Sequence, residues 1–298
     1  NKEIIISRGQ QVEIGGSFRI PEIIKKSGCK MIEIGTTNKT HLSDYKKVIN
    51  KNTSAILYVH TSNYKIIGFT EEVKIKELSK LCKEHDILLL CDLGSGSIYS
   101  DSNNNLPFER EVKDYIKDGV DVVTYSGDKL LGSIQSGIIS GKKSLIEKMY
   151  RNSMYRTLRV DKYRVAILEK ILRTYISRSK VSTDNISIHF LNRPVEELKA
   201  AAELIISKVN GKIINKYDFN IESTVVEAGS GSLPTEKIKS VAISIKSDKD
   251  SANIISNKLR GNSIPIITYI NSDKVYIDFK AIHENQYKII SQAINKCL

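Results

Sequence analysis

Paired cysteines are missing from this sequence. The four present, Cys29, Cys82, Cys91 and Cys297, form no CxxC pair and have no histidine at metal-ligand spacing, which argues against a zinc site and fits a reducing cytoplasm. Long apolar runs are missing too. The longest, such as "AILYV" and "ILLLC", fall far short of the roughly 20 residues that span a bilayer, so no membrane partner is expected. No charged-then-apolar leader opens the chain, and neither a repeat nor a low-complexity linker interrupts it. The first residues, "NKEIIISRG", lack methionine and run directly into a strand-like segment, which points to an absent preceding portion.

What is present is positive charge. Lys and Arg number 46 against 34 Asp and Glu, giving a net charge of +12 and a pI near 9.3. These residues are scattered along the whole length, a pattern that favours a polyanionic partner such as nucleic acid or a phosphorylated ligand, or serves solubility alone. With 298 residues, 40% hydrophobic and 27% charged, the chain has room for two domains and an ordinary globular core.

The apolar pattern predicts alternating elements. Strands are expected at residues 3–7 ("EIIIS"), 30–35, 53–60, 86–94 and 120–127. Helices are expected at 21–28, 41–50, 70–85 and 110–119, the third opening on Thr70 with Glu71 and Glu72 near its start. Continuous apolar strands separated by helices indicate a mostly parallel sheet covered on both faces. From Gly141 the pattern changes to helices at 142–152 and 161–177, the second long enough to bridge two domains. Beyond about Ser177 come a helix at 194–210, strands at 223–229, 238–245, 264–270 and 274–279, and helices at 251–261 and from Glu284. The expected division is a large domain over 1–177 and a small α+β domain over 178–298.

In open α/β sheets, ligands sit at the carboxyl ends of the strands. Three buried strands deliver polar groups there: "ILLLC" ends in Asp92 before "LGSGS", "VDVVTYS" ends in "GDK" with Lys129, and "AILYV" ends in "HTSN", His60 to Asn63. A lysine and a carboxylate on neighbouring strand ends are what pyridoxal 5'-phosphate (PLP) chemistry needs. The lysine holds the aldehyde as a Schiff base, and the carboxylate keeps the pyridine nitrogen protonated. The same pair also reads as a turn carboxylate beside a solvated loop lysine.

The strings "EIGGSFRIPEI", "IEIGTTNKTHLSDY", "VHTSNYKIIGFT", "CDLGSGS", "YSGDKLLG" and "RTLRVDKYRVAILEKILR" occur in order and together resemble the bacterial selenocysteine synthases, the L-seryl-tRNA(Sec) selenium transferases. The resemblance runs from about Ser7 to Arg173 and, more weakly, into the last domain. It implies a PLP-dependent transferase of fold type I, aspartate aminotransferase-like, with active sites at a homodimer interface and possible higher homo-oligomers. Its substrates would be seryl-tRNA(Sec) and selenophosphate, and the reaction a β-elimination to aminoacrylyl-tRNA followed by selenium addition. Carried over, Lys129 is the Schiff-base lysine and Asp92 the partner of the pyridine nitrogen. Ser126 is placed for the cofactor phosphate, or is a turn hydroxyl. Arg156 and Arg159 match arginines that bind the selenium-donor anion, as guanidinium forks suit oxyanions. His60 and Asn63 are candidate contacts to the cofactor ring or its 3'-oxygen, or structural hydrogen-bonders. Arg19, with Gly15 and Gly16, reads as a loop near the ligand or a tight turn.

The sequence departs from the family at three points. "LLGSIQSG" stands where a Gly-Pro pair usually precedes the glutamine, "AGSGSLP" replaces a glycine triplet, and Gln10 lies where an acid is common. In the family an amino-terminal part carries the tRNA-recognition domain, and the segment after it supplies a phosphate-binding loop and a further arginine. Two rival readings stand beside this one: a related PLP-dependent lyase acting on a phosphorylated amino sugar or small amino acid, and a non-catalytic basic RNA-binding fragment.

Overall fold

The computed structural model describes residues 2–100, 110–229 and 236–298. Most of the "AGSGSLP" departure therefore lies outside the described residues. Those described fall into two compact units, one from 2–100, 110–185 and Gly229, the other from 186–228 and 236–298. The first unit continues past Ser177 through Asn185.

In the first unit β1 (Glu3–Ser7) leads into a hairpin of β2 (Glu13–Ile14) and β3 (Phe18–Arg19). Then come α1 (Ile20–Lys26), β4 (Lys30–Ile34), α2 (Leu42–Val48), β5 (Thr53–Val59), α3 (Ile75–Glu84), β6 (Leu88–Gly94), α4 (Val112–Lys117), β7 (Val122–Ser126) and β8 (Gly137–Gly141). Helices α5 (Lys143–Arg151), α6 (Ser153–Leu158), α7 (Lys162–Thr174) and α8 (Val181–Asp184) follow. The six-stranded sheet has the order β4-β1-β5-β6-β7-β8. Its first five strands are mutually parallel, and β8 closes the edge antiparallel to β7. Ile5, Ile56, Leu89 and Val123 point from the strands into one apolar layer with Tyr45, Leu78 and Val112 of the helices, while Ile6 and Val59 meet Ile20 and Ile24 of α1. Both faces are thus covered, and each fully buried aliphatic side chain contributes about 1.5–3 kcal/mol.

The helix expected from Thr70 begins at Ile75 instead. The reason is a competing backbone pairing: Glu71 N–H donates to Asn38 O (2.9 Å) and Thr40 N–H donates to Glu71 O (3.0 Å). Those bonds hold residues 70–72 extended, and the helix starts where the Glu77 carboxylate accepts the Lys74 N–H at 3.4 Å.

The second unit contains α9 (Ile186–Asn192), α10 (Val195–Ile206), α11 (Gly211–Ile214), β9 (Asp218–Val226), β10 (Ile238–Lys246), α12 (Ala252–Arg260), β11 (Tyr269–Asn271), β12 (Lys274–Asp278) and α13 (Tyr287–Cys297). Its sheet is antiparallel, in the order β11-β12-β10-β9. Val241, Ile243 and Ile245 alternate along β10 onto Leu198, Ile255 and Ile294 of the helices, which is the small α+β arrangement expected. Of the apolar run 264–270, only Tyr269 and Ile270 enter a strand. Among the described residues no helix is long and apolar enough to cross a membrane.

Candidate active site

Three adjacent parallel strands, β5, β6 and β7, end side by side. Val59 pairs with Asp92, and Asp92 pairs with Thr124, so His60, Asp92 and the residues after Thr124 share the carboxyl edge. The His60 N–H donates to the Asp92 backbone oxygen at 2.8 Å. At the side chain, Thr124 Oγ1 donates to Asp92 Oδ1 at 2.8 Å. Just beyond, the β6–β7 register shifts between Asp92 and Gly94, which leaves Leu93 as an extra residue, a bulge of the kind found beside active sites. The loop that follows is close-fitted. Gly94 and Gly96 both adopt φ near +63°, and a Cβ on Gly96 would lie 2.4 Å from the Tyr125 side chain. The "GSG" spacing is therefore a steric requirement.

Lys129 sits half-buried in the turn after β7. Its side-chain amine makes no ion pair or hydrogen bond with any described residue. The turn itself is firmly tied. Gly127 N–H donates to Ser136 O (2.9 Å), Ser133 N–H to Gly127 O (2.8 Å) and Gly132 N–H to Lys129 O (2.8 Å). A Cβ on Gly127 would meet Ser136 Oγ at 2.3 Å. Ser133 thus closes the loop by its backbone. From behind, the carbonyl of fully buried Leu131 accepts from Tyr175 Oη (2.7 Å) and Asn185 Nδ2 (3.1 Å). Burial, and then neighbouring Tyr99, push the Tyr175 phenol well above its usual range, so it remains a donor at any physiological pH. Ser126, half-buried at the last position of β7, is two residues past Thr124 on the same strand.

The remaining expected residues make no hydrogen bond or ion pair to Asp92 or Lys129 among the described residues. Asn63 is exposed and its Nδ2 donates to Glu13 O (2.8 Å), while Arg19 is exposed and its Nε donates to Glu13 Oε2 (2.6 Å). Both thus tie down the β2–β3 hairpin. Arg156 on α6 and Arg159 at its end are exposed and have no hydrogen-bond or ion-pair partner among the described residues. The unusual Gln10 is buried. Its amide nitrogen donates to Glu72 Oε1 (2.5 Å) and its oxygen accepts from Val59 N–H (3.3 Å), a pairing that an acid could not complete beside Glu72 without like-charge repulsion.

Sequence reasoning missed Thr124, Tyr175 and Glu111. Buried Glu111, the N-cap residue of α4, accepts from Arg178 (2.5 Å), Lys113 (2.7 Å) and Ser100 N–H (3.1 Å), and Arg178 also lies over the Tyr99 ring at 5.4 Å. Tyr99 packs against Tyr175 with centroids 6.4 Å apart. A chain of contacts therefore runs from Glu111 to the carbonyl behind the Lys129 turn.

A cavity of about 250 Å³ opens nearby at the ends of β4, β1 and β5, with Gln10, Thr37, Lys39, Lys65 and Glu72 in its walls. None of the sequence-predicted site residues lines it. Its lining holds two lysines and two glutamates and so carries no net charge, whereas the chemistry at stake needs an unpaired amine and a positioned carboxylate at one sheet edge. The β6–β7 edge supplies both, and so is the better candidate. These residues fit a pyridoxal-type cofactor: an unengaged amine, a carboxylate with one oxygen held by Thr124, and loops on either side that leave no room for a Cβ at Gly96 or Gly127.

Comparison with known proteins gives a consistent result. Residues 1–283 match the family model described as L-seryl-tRNA selenium transferase. The chain is 41% identical over 300 residues to the L-seryl-tRNA(Sec) selenium transferase of Alkaliphilus oremlandii, and 43% identical over 297 residues to that of Clostridium perfringens. These alignments cover 100% and 99% of the chain, which spans 64% of the length of either relative. Among solved structures, a D-glucosaminate-6-phosphate ammonia-lyase superposes with a TM-score of 0.62 at 18% identity, covering 99% of this chain and 70% of the other. That likeness concerns the fold, and the fold is the α/β, fold type I architecture expected from the sequence.

Proposed function

The chain belongs to the L-seryl-tRNA selenium transferase family, and from that premise we propose that it converts seryl-tRNA(Sec) to selenocysteinyl-tRNA(Sec), with PLP as cofactor and selenophosphate as selenium donor, in the cytoplasm. The observation that carries this reading is the delivery of Asp92 and Lys129 by adjacent strands β6 and β7 to one sheet edge.

When bound, PLP supplies an aldehyde that takes an amino group and a pyridinium ring that accepts electron density from the substrate Cα. Lys129 would hold the cofactor through its amine, and that amine, once free, would take the proton from the substrate Cα. Asp92, aimed by Thr124, would pair with the ring nitrogen and keep it protonated. Ser126 would donate its hydroxyl to an oxygen of the cofactor phosphate. His60, fixed to β6 through its backbone, would contact the ring or its 3'-oxygen. Loss of the β-hydroxyl as water, with a proton from solvent, would leave an α,β-unsaturated acyl group, and Arg156 and Arg159 would hold the selenophosphate whose selenium adds at Cβ while water cleaves its P–Se bond and releases phosphate. Lys129 then returns the proton to Cα.

Reconstitution with seryl-tRNA(Sec) and selenophosphate tests this reading. The expected outcome is selenocysteinyl-tRNA that depends on both. Arg156→Ala with Arg159→Ala should cut selenium transfer by about 100-fold, through loss of two charge-assisted pairs, while leaving the cofactor label on Lys129 intact. Transfer unchanged in the double variant would remove both arginines from the donor site.

Residues 142–180 carry 12 Lys and Arg against three acidic residues. They also expose Leu158 (72%), Tyr163 (84%) and Ile176 (78%). A second copy of the chain is the proposed partner for these exposed apolar side chains. Sedimentation equilibrium should give a dimer or larger assembly, shifted toward monomer by Leu158→Glu. A monomeric wild-type chain would contradict it.

A further inference from the structure

Resting on the PLP reading above, we infer that Thr124 is a positioning residue for the ring-nitrogen end of the site, holding one oxygen of Asp92 so that the other is presented to the cofactor. Three observations carry this. Thr124 and Asp92 are register partners on neighbouring parallel strands, so their side chains rise from the same face of the sheet. The hydroxyl donates to Asp92 Oδ1 at 2.8 Å, and both residues are half-buried, which shields the bond from competing water. The pair also sits at the point where the β6–β7 register breaks, between Asp92 and Gly94.

The third observation explains why a side-chain bond is needed. At a bulge the ladder is locally disrupted and the strand bends, so backbone pairing no longer dictates where the side chain points. A carboxylate there keeps freedom about χ1 and χ2 unless something else removes it. Threonine suits the task for two reasons. Its β-branched side chain has few χ1 choices on a strand, which fixes the donor in space. Its hydroxyl is neutral and donates one proton, so it occupies a single carboxylate oxygen. An arginine or lysine at the same position would instead form an ion pair with Asp92 and compete with the pyridinium for it.

The test is a double-mutant cycle on cofactor binding by the chain, using PLP itself as the probe. Thr124→Val removes the hydroxyl at nearly constant volume, and should raise the Kd for PLP about 10-fold and alter the absorbance band of the bound cofactor. Thr124→Ser, which keeps the hydroxyl, should stay within about 2-fold of the wild type. With Asp92→Asn already in place, Thr124→Val should have no further effect, because the group it aims is no longer a carboxylate. The melting temperature of the PLP-free chain separates positioning from packing: the wild type and Thr124→Val should melt together. An equal effect in both backgrounds, or a fall in melting temperature with no change in Kd or spectrum, would overturn the assignment of Thr124 alone. A wild-type chain that takes no borohydride-fixed pyridoxyl label on Lys129 would overturn the PLP reading and this inference with it.

Discussion

Replacing Lys129 with alanine is expected to abolish the covalent pyridoxyl label and lower turnover by at least about 1,000-fold, as loss of a reacting group does. Absorbance near roughly 420 nm after PLP addition, followed by borohydride reduction and peptide mapping, reads the first effect. Folding should survive. The side chain is half-buried and its amine engages no described residue, so the stability change should stay within about 0.5 kcal/mol. Lys129→Arg sharpens the test, because arginine keeps the positive charge but cannot be deprotonated to act as a nucleophile. An arginine variant as inactive as the alanine one assigns the role to the amine, whereas substantial activity in either variant would move the reacting group elsewhere.

The large sheet was legible because parallel strands buried on both faces read as unbroken apolar runs. The segments around Ile5, Ile56, Leu89 and Val123 were therefore found within a residue or two. Edge strand β8, "GIISG", was not, since glycine at both ends and only five residues give no periodic signal. Residues 70–72 carried a convincing helix start, yet the backbone of Glu71 pairs with residues 38 and 40, a non-local choice that no window along the chain reveals.

The site divides along the same line. Asp92 lies near the end of one strand and Lys129 in the turn after the next, and both could be found from local sequence. The bonds that orient them could not, because Thr124 lies 32 residues from Asp92, Tyr175 lies 44 from Leu131 and Arg178 lies 67 from Glu111. Register and tertiary packing bring these partners together, and an isolated Thr or Tyr gives no hint of it. Gln10 shows the converse: what reads as a departure from the family is locally coherent once Glu72 and the Val59 N–H are in view.

Glu111→Gln should destabilise the first unit by about 2–3 kcal/mol, a value set by hydrogen bonds to a buried charged group and moderated by half-exposed partners. Burial pushes the Glu111 carboxyl up, but its bonds from Arg178, Lys113 and the Ser100 N–H outweigh that effect and hold it below the usual carboxylate range. The sign follows from linkage. A carboxyl whose folded pKa lies below its unfolded value of about 4.3 stabilises the fold fully above that value, and the contribution is lost as pH falls through the folded pKa. The gap between wild type and Glu111→Gln should therefore be constant from pH 8 to about 5.5 and shrink below about 4.3. Urea unfolding followed across that range measures it. Because Arg178 also packs on Tyr99, and Tyr99 on Tyr175 behind the Lys129 turn, the variant should weaken PLP binding as well as stability. A gap that stays the same at pH 3.5 would mean that the ionised charge of Glu111 is not what ties α4 to the segment that supports the site.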